Sequence, residues 1–271
     1  MSTPPHSIPE RAGVCVAAVW IALGALSCAS AAEPVIRPYE SFSGCYFLDM
    51  GARGNGHNAY TGIRYRPAKR SLVYMQGDYL ARFDKQETKL LGGASVGLAR
   101  TWNCAAEISV SPGAEMYPTA SAWMEIGKVV AKSLVVYGRV NHSAYRNAAL
   151  SGISLAGEYY PPRCNCAVIS RAALSTNDFG SGKRSTDAGG LVKVIWFIGE
   201  RSKAFVYGAV GNESYRLETV ERTGNLYAKT VGIGGDYYPR PALKIAPSLE
   251  YQDRERGPRF LQFGLEMGIL W

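Results

Sequence analysis

The chain ends in FLQFGLEMGILW (260–271). From Leu261 to Trp271 every odd position is apolar (Leu261, Phe263, Leu265, Met267, Ile269, Trp271), while Gln262, Gly264, Glu266 and Gly268 fall between them. A period of two places the odd set on one face of a β-strand and Glu266 on the other. Terminal residues without such a face usually fray in water. This segment therefore reads as the closing strand of a membrane barrel, apolar toward lipid and polar toward the lumen.

The alternation recurs upstream in segments of strand length. Strands are expected at 44–53, 57–66, 71–83, 88–101, 104–113, 119–131, 133–143, 148–160, 164–176, 188–199, 203–215, 225–238, 242–253 and 259–271. The fold class is thus all-β, an antiparallel transmembrane β-barrel of about 14 strands, closed because an open edge would leave backbone groups unpaired in lipid. If 44–66 lay outside the wall, the count would be 12. Short turns such as Pro161-Pro162-Arg163 and Pro239-Arg240-Pro241 follow the even strands. Longer polar links follow the odd ones, among them 84–87, 177–187 and 216–224. This layout predicts short periplasmic turns, longer extracellular loops and both termini in the periplasm.

Composition agrees: 30 Gly and 17 Tyr against 8 Phe favour many short strands. The first 32 residues differ. Arg11 precedes the apolar run AGVCVAAVWIALGALSC (12–28), and Ala29-Ser30-Ala31 supplies a small-residue cleavage site. Residues 1–32 are therefore expected to be a signal peptide, 33–43 a periplasmic N-terminal segment and 44–271 the outer-membrane barrel. The net charge of +8 is scattered, without a Lys/Arg block. It indicates anionic lipopolysaccharide and outer-membrane lipid as partners, with no nucleic acid. Cys45, Cys104, Cys164 and Cys166 remain after cleavage; their spacing predicts one disulfide or small buried thiols, no metal site and no cofactor.

Parity assigns the faces. The lumen-facing candidates are Arg64, Tyr74, Gln76, Asp78, Arg82, Glu107, Glu125, Tyr137, Arg139, Glu158, Arg171, Lys193, Tyr207, Asp236, Lys244, Glu250 and Glu266. The lipid face is assigned Phe263, Leu265, Met267, Ile269 and Trp271 at the C-terminus, Tyr46, Leu48 and Met50 in 44–53, and Ile63 and Tyr65 in 57–66. Inward residues of both signs either pair and rigidify the wall or line a selective pore. LVYMQGDY (72–79), LVVYGRVN (134–141) and AFVYGAVG (204–211) align on Tyr74, Tyr137 and Tyr207, a repeat of about four strands. LAGEYYPPR (155–163) and GIGGDYYPR (232–240) align on Glu158 and Asp236.

No catalytic residue is expected. His142 and Ser143 are adjacent, so their side chains point to opposite faces and cannot form a nucleophile–base pair. Glu158 and Asp236, as equivalent positions of a repeat, read as structural.

VVYGRVNHSAYRNAALSGISLAGEYYP (135–161), its second copy between Val206 and Pro239, and the final strand resemble the YaiO family of bacterial outer-membrane β-barrel proteins. The shared motif is an aromatic-Gly-x-x hairpin whose return strand ends in an acidic residue and Tyr-Tyr. The chain departs from that pattern in ending on Trp and in carrying Cys164-Asn165-Cys166. The resemblance implies outer-membrane residence and a link to surface polysaccharide. It carries no ligand residues onto this chain. Phe263, Leu265, Met267, Ile269 and Trp271 are expected to serve the outer-membrane assembly machinery as a terminal signal. Two functions follow as expectations: a non-enzymatic narrow channel or export conduit linked to surface saccharide, or a plugged barrel with a structural or surface-interaction role through loops 177–187 and 216–224; a lipid-modifying enzyme using His142 and Ser143 is the least favoured reading.

Overall fold

A computed structural model describes residues 38–49, 55–82, 85–179, 184–212, 227–255 and 259–271. Fourteen strands form the wall: β1 (Tyr39–Asp49), β2 (Asn55–Ala68), β3 (Ser71–Arg82), β4 (Lys85–Gly97), β5 (Trp102–Val110), β6 (Ala120–Ala131), β7 (Leu134–Ala144), β8 (Ala149–Tyr159), β9 (Cys166–Asp178), β10 (Arg184–Ile198), β11 (Ser202–Asn212), β12 (Tyr227–Arg240), β13 (Leu243–Arg254) and β14 (Phe260–Leu270). Each pairs antiparallel with its sequence neighbours, and β14 returns to β1 to close the barrel. Closure runs through the register Glu40↔Leu270 to Asp49↔Leu261. Tyr39 N donates to Trp271 O at 3.1 Å and Trp271 N to Tyr39 O at 2.9 Å. The final backbone groups are thus paired rather than frayed.

Fourteen strands are present, and residues 44–49 and 55–66 belong to them. Several expected boundaries move. β1 begins at Tyr39, so 39–43 belongs to the wall, because these residues pair with both β14 and β2. The expected loop 177–187 shrinks to 179–183, since Asn177 and Asp178 pair with Ser185 and Arg184. The link 84–87 likewise shortens, with Arg82 opposite Lys85. Residues 1–37, which include the expected signal peptide, and the loop 216–224 lie outside the described residues.

Connections after even strands span two to six residues and define a short-turn rim. Those after odd strands meet at the opposite, long-loop rim, where 111–119 is the longest described link. At the β8–β9 turn Cys164 and Cys166 form a disulfide, while Cys45 and Cys104 are unpaired thiols.

The outward face carries the apolar set. Met75 is 71% exposed, Leu155 68% and Leu90 66%. A band of such residues around the whole barrel is stable only against hydrocarbon. At the short-turn rim it ends in exposed aromatics, including Tyr65, Trp102, Tyr159, Trp196, Tyr237 and Trp271. The rings of Trp271, Tyr39 and Tyr65 stack in a ladder, with successive centroids 4.8 Å apart. Near the long-loop rim a cross-strand row of His142, Ser151, Thr176 and Thr186 replaces the apolar residues. Aromatic and polar belts mark the two edges of the lipid-facing band.

Parity fails in one strand. Tyr46 and Leu48, assigned to lipid, share the inner parity of Glu40 and Phe42, whereas Phe47 is outward and 58% exposed. The inner wall here is itself aromatic: Tyr46 stacks on Tyr60, with centroids 5.5 Å apart, so hydrophobicity alone misassigns the faces. Met50 lies outside the described residues.

Candidate functional site in the barrel lumen

The inner wall is built from rows that run across the strands. Tyr74, Gly93 and Glu107 are register partners on β3, β4 and β5. The Tyr74 ring lies over Gly93, where a Cβ would collide with it, and its hydroxyl donates to Glu107. Tyr207, Gly232 and Glu250 repeat this arrangement on β11, β12 and β13. A third row runs in the reverse strand order: Tyr60 on β2 crosses Gly44 on β1 and donates to Glu266 on β14 at 3.1 Å. Glycine is required in the middle of each row because the tyrosine must lie flat to reach a carboxylate two strands away.

Tyr137, the remaining member of the aligned repeat, differs. Its ring lies over Gly127 on β6 while its hydroxyl donates to Glu158 on β8 at 2.7 Å. The two aligned acidic residues also diverge, since Asp236 pairs with Lys203 at 2.9 Å. Glu158 and Asp236 therefore never form a carboxylate pair.

Charged clusters link the rows. At the β13–β14–β1–β2 seam, Arg64 reaches Glu40 at 2.9 Å and Glu266 at 3.1 Å, and Lys244 reaches the same carboxylates at 3.2 and 2.5 Å. Arg64 also covers the Phe42 ring at 3.7 Å. Two cations and two carboxylates, all largely withdrawn from water, compensate one another. On the opposite wall Glu125 accepts from Arg139 and Arg171, each at 3.0 Å. Arg139 stacks over Trp123 at 4.1 Å, and Trp123 Nε1 donates to Glu107 at 3.1 Å. Lys193 sits over Phe205 at 3.8 Å. Nearer the long-loop rim, Asp78 pairs with Lys89 at 2.7 Å and accepts from Gln76 at 2.6 Å.

Space remains between these clusters. A cavity of about 380 Å³ lies along the inner face of β6–β10. Its wall carries small hydrogen-bonding side chains (Ser121, Asn141, Ser143, Ser154, Ser175), with Trp123, Arg139 and Arg171 beside them. Ser143 thus belongs to the lumen. His142 points outward, where its Nδ1 is 2.9 Å from Ser151 Oγ, so the two adjacent residues do not meet.

The link SPGAEMYPT (111–119) folds over the lumen mouth. Glu87 accepts the backbone N–H groups of Glu115, Met116 and Tyr117 at 2.6, 2.8 and 2.8 Å. Tyr117 then reaches β2, three strands away from β5, where Asn58 Nδ2 donates to its hydroxyl at 2.6 Å, and Lys89 covers its ring at 4.6 Å. Ala114 and Met116 are each 3% exposed. Gly113 takes φ 75°, a left-handed turn open to glycine without strain. Burial raises the Tyr117 hydroxyl above its ordinary value, whereas Lys85 beside Glu115 holds that carboxyl low.

Sequence parity did not single out Glu40, Tyr60, Glu87 or Trp123. Glu40 precedes the expected first strand; Tyr60 and Trp123 carry apolar rings that do not announce a lumen position. The row pattern, an inward Tyr opposite Gly opposite Glu, would have found Tyr60 once the register was known.

Taken together, the closed wall, outer apolar band and polar lumen define the fold class of outer-membrane β-barrels. No family model matches the chain, and no curated protein matches it. Its fold is similar to that of solved barrels. A bacterial polysaccharide outer-membrane secretin superposes with TM-score 0.57 at 7% identity, over 88% of this chain and 99% of that one. The CymD monoaromatic hydrocarbon channel gives 0.58 at 6%, over 94% and 93%. Omp33 of Acinetobacter baumannii gives 0.51 at 11%, over 87% and 98%.

Proposed function

We propose that the chain is a non-enzymatic outer-membrane protein, exported by a cleaved signal peptide, that forms a narrow channel or export conduit of YaiO type for a small saccharide. The observation that carries this reading is the cavity of about 380 Å³ bounded by serine and asparagine side chains. Hydroxyl and amide groups at several heights suit a polyhydroxylated solute, which exchanges one set of hydrogen bonds for the next as it passes. In this orientation the short-turn rim faces the periplasm, and Trp271 presents its terminal aromatic to the assembly machinery there. Lipopolysaccharide surrounds the long-loop rim.

Planar-bilayer recording of refolded protein tests the proposal. Steady single-channel openings, reduced by a disaccharide added to one side, are expected; a silent bilayer containing folded barrel refutes it. The second reading, a plugged barrel, is favoured by one observation: the segment 111–119 spans the mouth from β5 to Asn58 on β2. If that plug is permanent, deletion of 112–118 opens a conductance that the intact chain lacks.

A further inference from the structure

The outer surface holds a second concavity. A groove of about 760 Å³ crosses the lipid-facing side of β7–β12. Its floor is made of small residues, Ala172, Gly190 and Gly208, and its sides of Leu155 and Val192, which are 68% and 54% exposed. One register row runs along it: Leu155↔Ala172↔Gly190↔Val210↔Lys229. Leu155 lies four residues from the short-turn end of β8, whereas Lys229 lies two residues from the long-loop end of β12. The groove therefore climbs toward the long-loop rim and ends at a cation.

The dimensions fit one leaflet. Four inter-strand steps of about 4.8 Å give a length of about 19 Å. A row tilted by about 45° rises about 13 Å over that length, close to the half-thickness of about 15 Å of a bilayer core.

Lys229 is exposed on the outward face, and among the described residues it has no ion-pair partner. Asp253 stands opposite it in register but is engaged by Arg259 at 3.2 Å. An outward lysine can reach the water interface by itself. Here, however, the same side chain lines the end of an apolar groove, so the chemistry is that of an amphiphile with an anionic head.

We infer that this groove binds a phosphorylated acyl lipid of the surrounding leaflet, one chain lying over Ala172, Gly190 and Gly208 and the phosphate held by Lys229. The inference rests on the membrane embedding proposed above but not on conductance, so a failed channel assay leaves it standing. No covalent step is involved.

Native mass spectrometry of the full barrel, refolded in detergent and titrated with lipid A, tests it. Gly208→Leu projects a side chain into the groove from a backbone position where an added Cβ meets only the Thr230 carbonyl, at 4.0 Å. Lys229→Gln removes the charge, and heat-modifiable mobility on gels confirms that both variants fold. One retained lipid A is expected, with affinity falling about tenfold in Lys229→Gln, the scale of one charge-assisted contact, and falling also in Gly208→Leu, where the acyl chain is displaced. Retention of diacylglycerol, which lacks phosphate, should fall with Gly208→Leu and not with Lys229→Gln. Equal retention by wild type and Gly208→Leu overturns the site. Insensitivity to Lys229→Gln overturns the phosphate assignment, and with it the proposal. A dimer that Gly208→Leu dissociates overturns it too, by showing that a second copy fills the groove.

Discussion

Replacing Glu266 by Gln perturbs the seam on which barrel closure depends. Glu266 accepts from Arg64 at 3.1 Å, from Lys244 at 2.5 Å and from Tyr60 at 3.1 Å. The substitution leaves Arg64 and Lys244 sharing Glu40 alone, so the cluster passes from neutral to +1. At an effective dielectric of about 20, each contact near 3 Å is worth roughly 5 kcal/mol of attraction. Loss of Glu40–Glu266 repulsion and new amide hydrogen bonds return part of this. The expected net cost is about 3–5 kcal/mol, as for other ion pairs broken on one side within a protein interior. Urea unfolding of the barrel in lipid or detergent should then shift its midpoint downward by about 1–2 M. The double variant Glu266→Gln with Lys244→Met restores neutrality, leaving Arg64 against Glu40. It should be more stable than the sum of the single changes by about 1–3 kcal/mol. A Glu266→Gln barrel within about 1 kcal/mol of wild type, or strictly additive variants, would refute the view that charge compensation holds this seam.

The Tyr-Gly-Glu rows make a contrasting pair: Tyr207→Phe should cost about 1 kcal/mol by removing the hydroxyl that donates to Glu250, whereas Gly232→Val should cost more because the ring can no longer lie across β12, both read by urea unfolding. Trp271→Ala removes the stack on Tyr39 and should lower stability by about 1 kcal/mol in the same assay, with slower assembly into membranes as the separate outcome expected of a terminal signal. Glu87→Gln weakens the three backbone hydrogen bonds that hold 115–117 and should raise single-channel conductance; an unchanged conductance would mean the segment does not restrict the mouth. The Glu115 carboxyl is lowered by Lys85, so its contribution is present above the ordinary glutamate range and is lost as pH falls through the depressed value. Conductance should therefore be constant from neutrality down through the ordinary glutamate range and rise only below it.

Much of the wall was legible in the sequence because strand periodicity is local. The alternation from Leu261 to Trp271 sets the faces of β14, and the same parity places Glu107, Glu125, Arg139, Arg171, Glu250 and Glu266 on the inner side, with partners there. It misled in β1 because Phe42 and Tyr46 pack inward on glycines of neighbouring strands, and no local pattern separates a lumen aromatic from a lipid-facing one. Loop lengths erred for a related reason: Asn177 and Asp178 are polar enough to look like a link, yet pairing with β10 satisfies their backbone.

The sequence by itself determined an alternating fourteen-strand chain with one apolar and one polar face, since side-chain direction along a strand depends only on parity. Which polar residue meets which depended on register, and register belongs to the closed barrel. Only closure sets Tyr60, Gly44 and Glu266 in one row although they come from opposite ends of the chain. Only the curved wall brings Tyr117 from the β5–β6 link to Asn58, and only the tilt of the rows leads the outer groove to Lys229. These are contacts between strands, decided by the shear and curvature of the sheet rather than by the residues of any single strand.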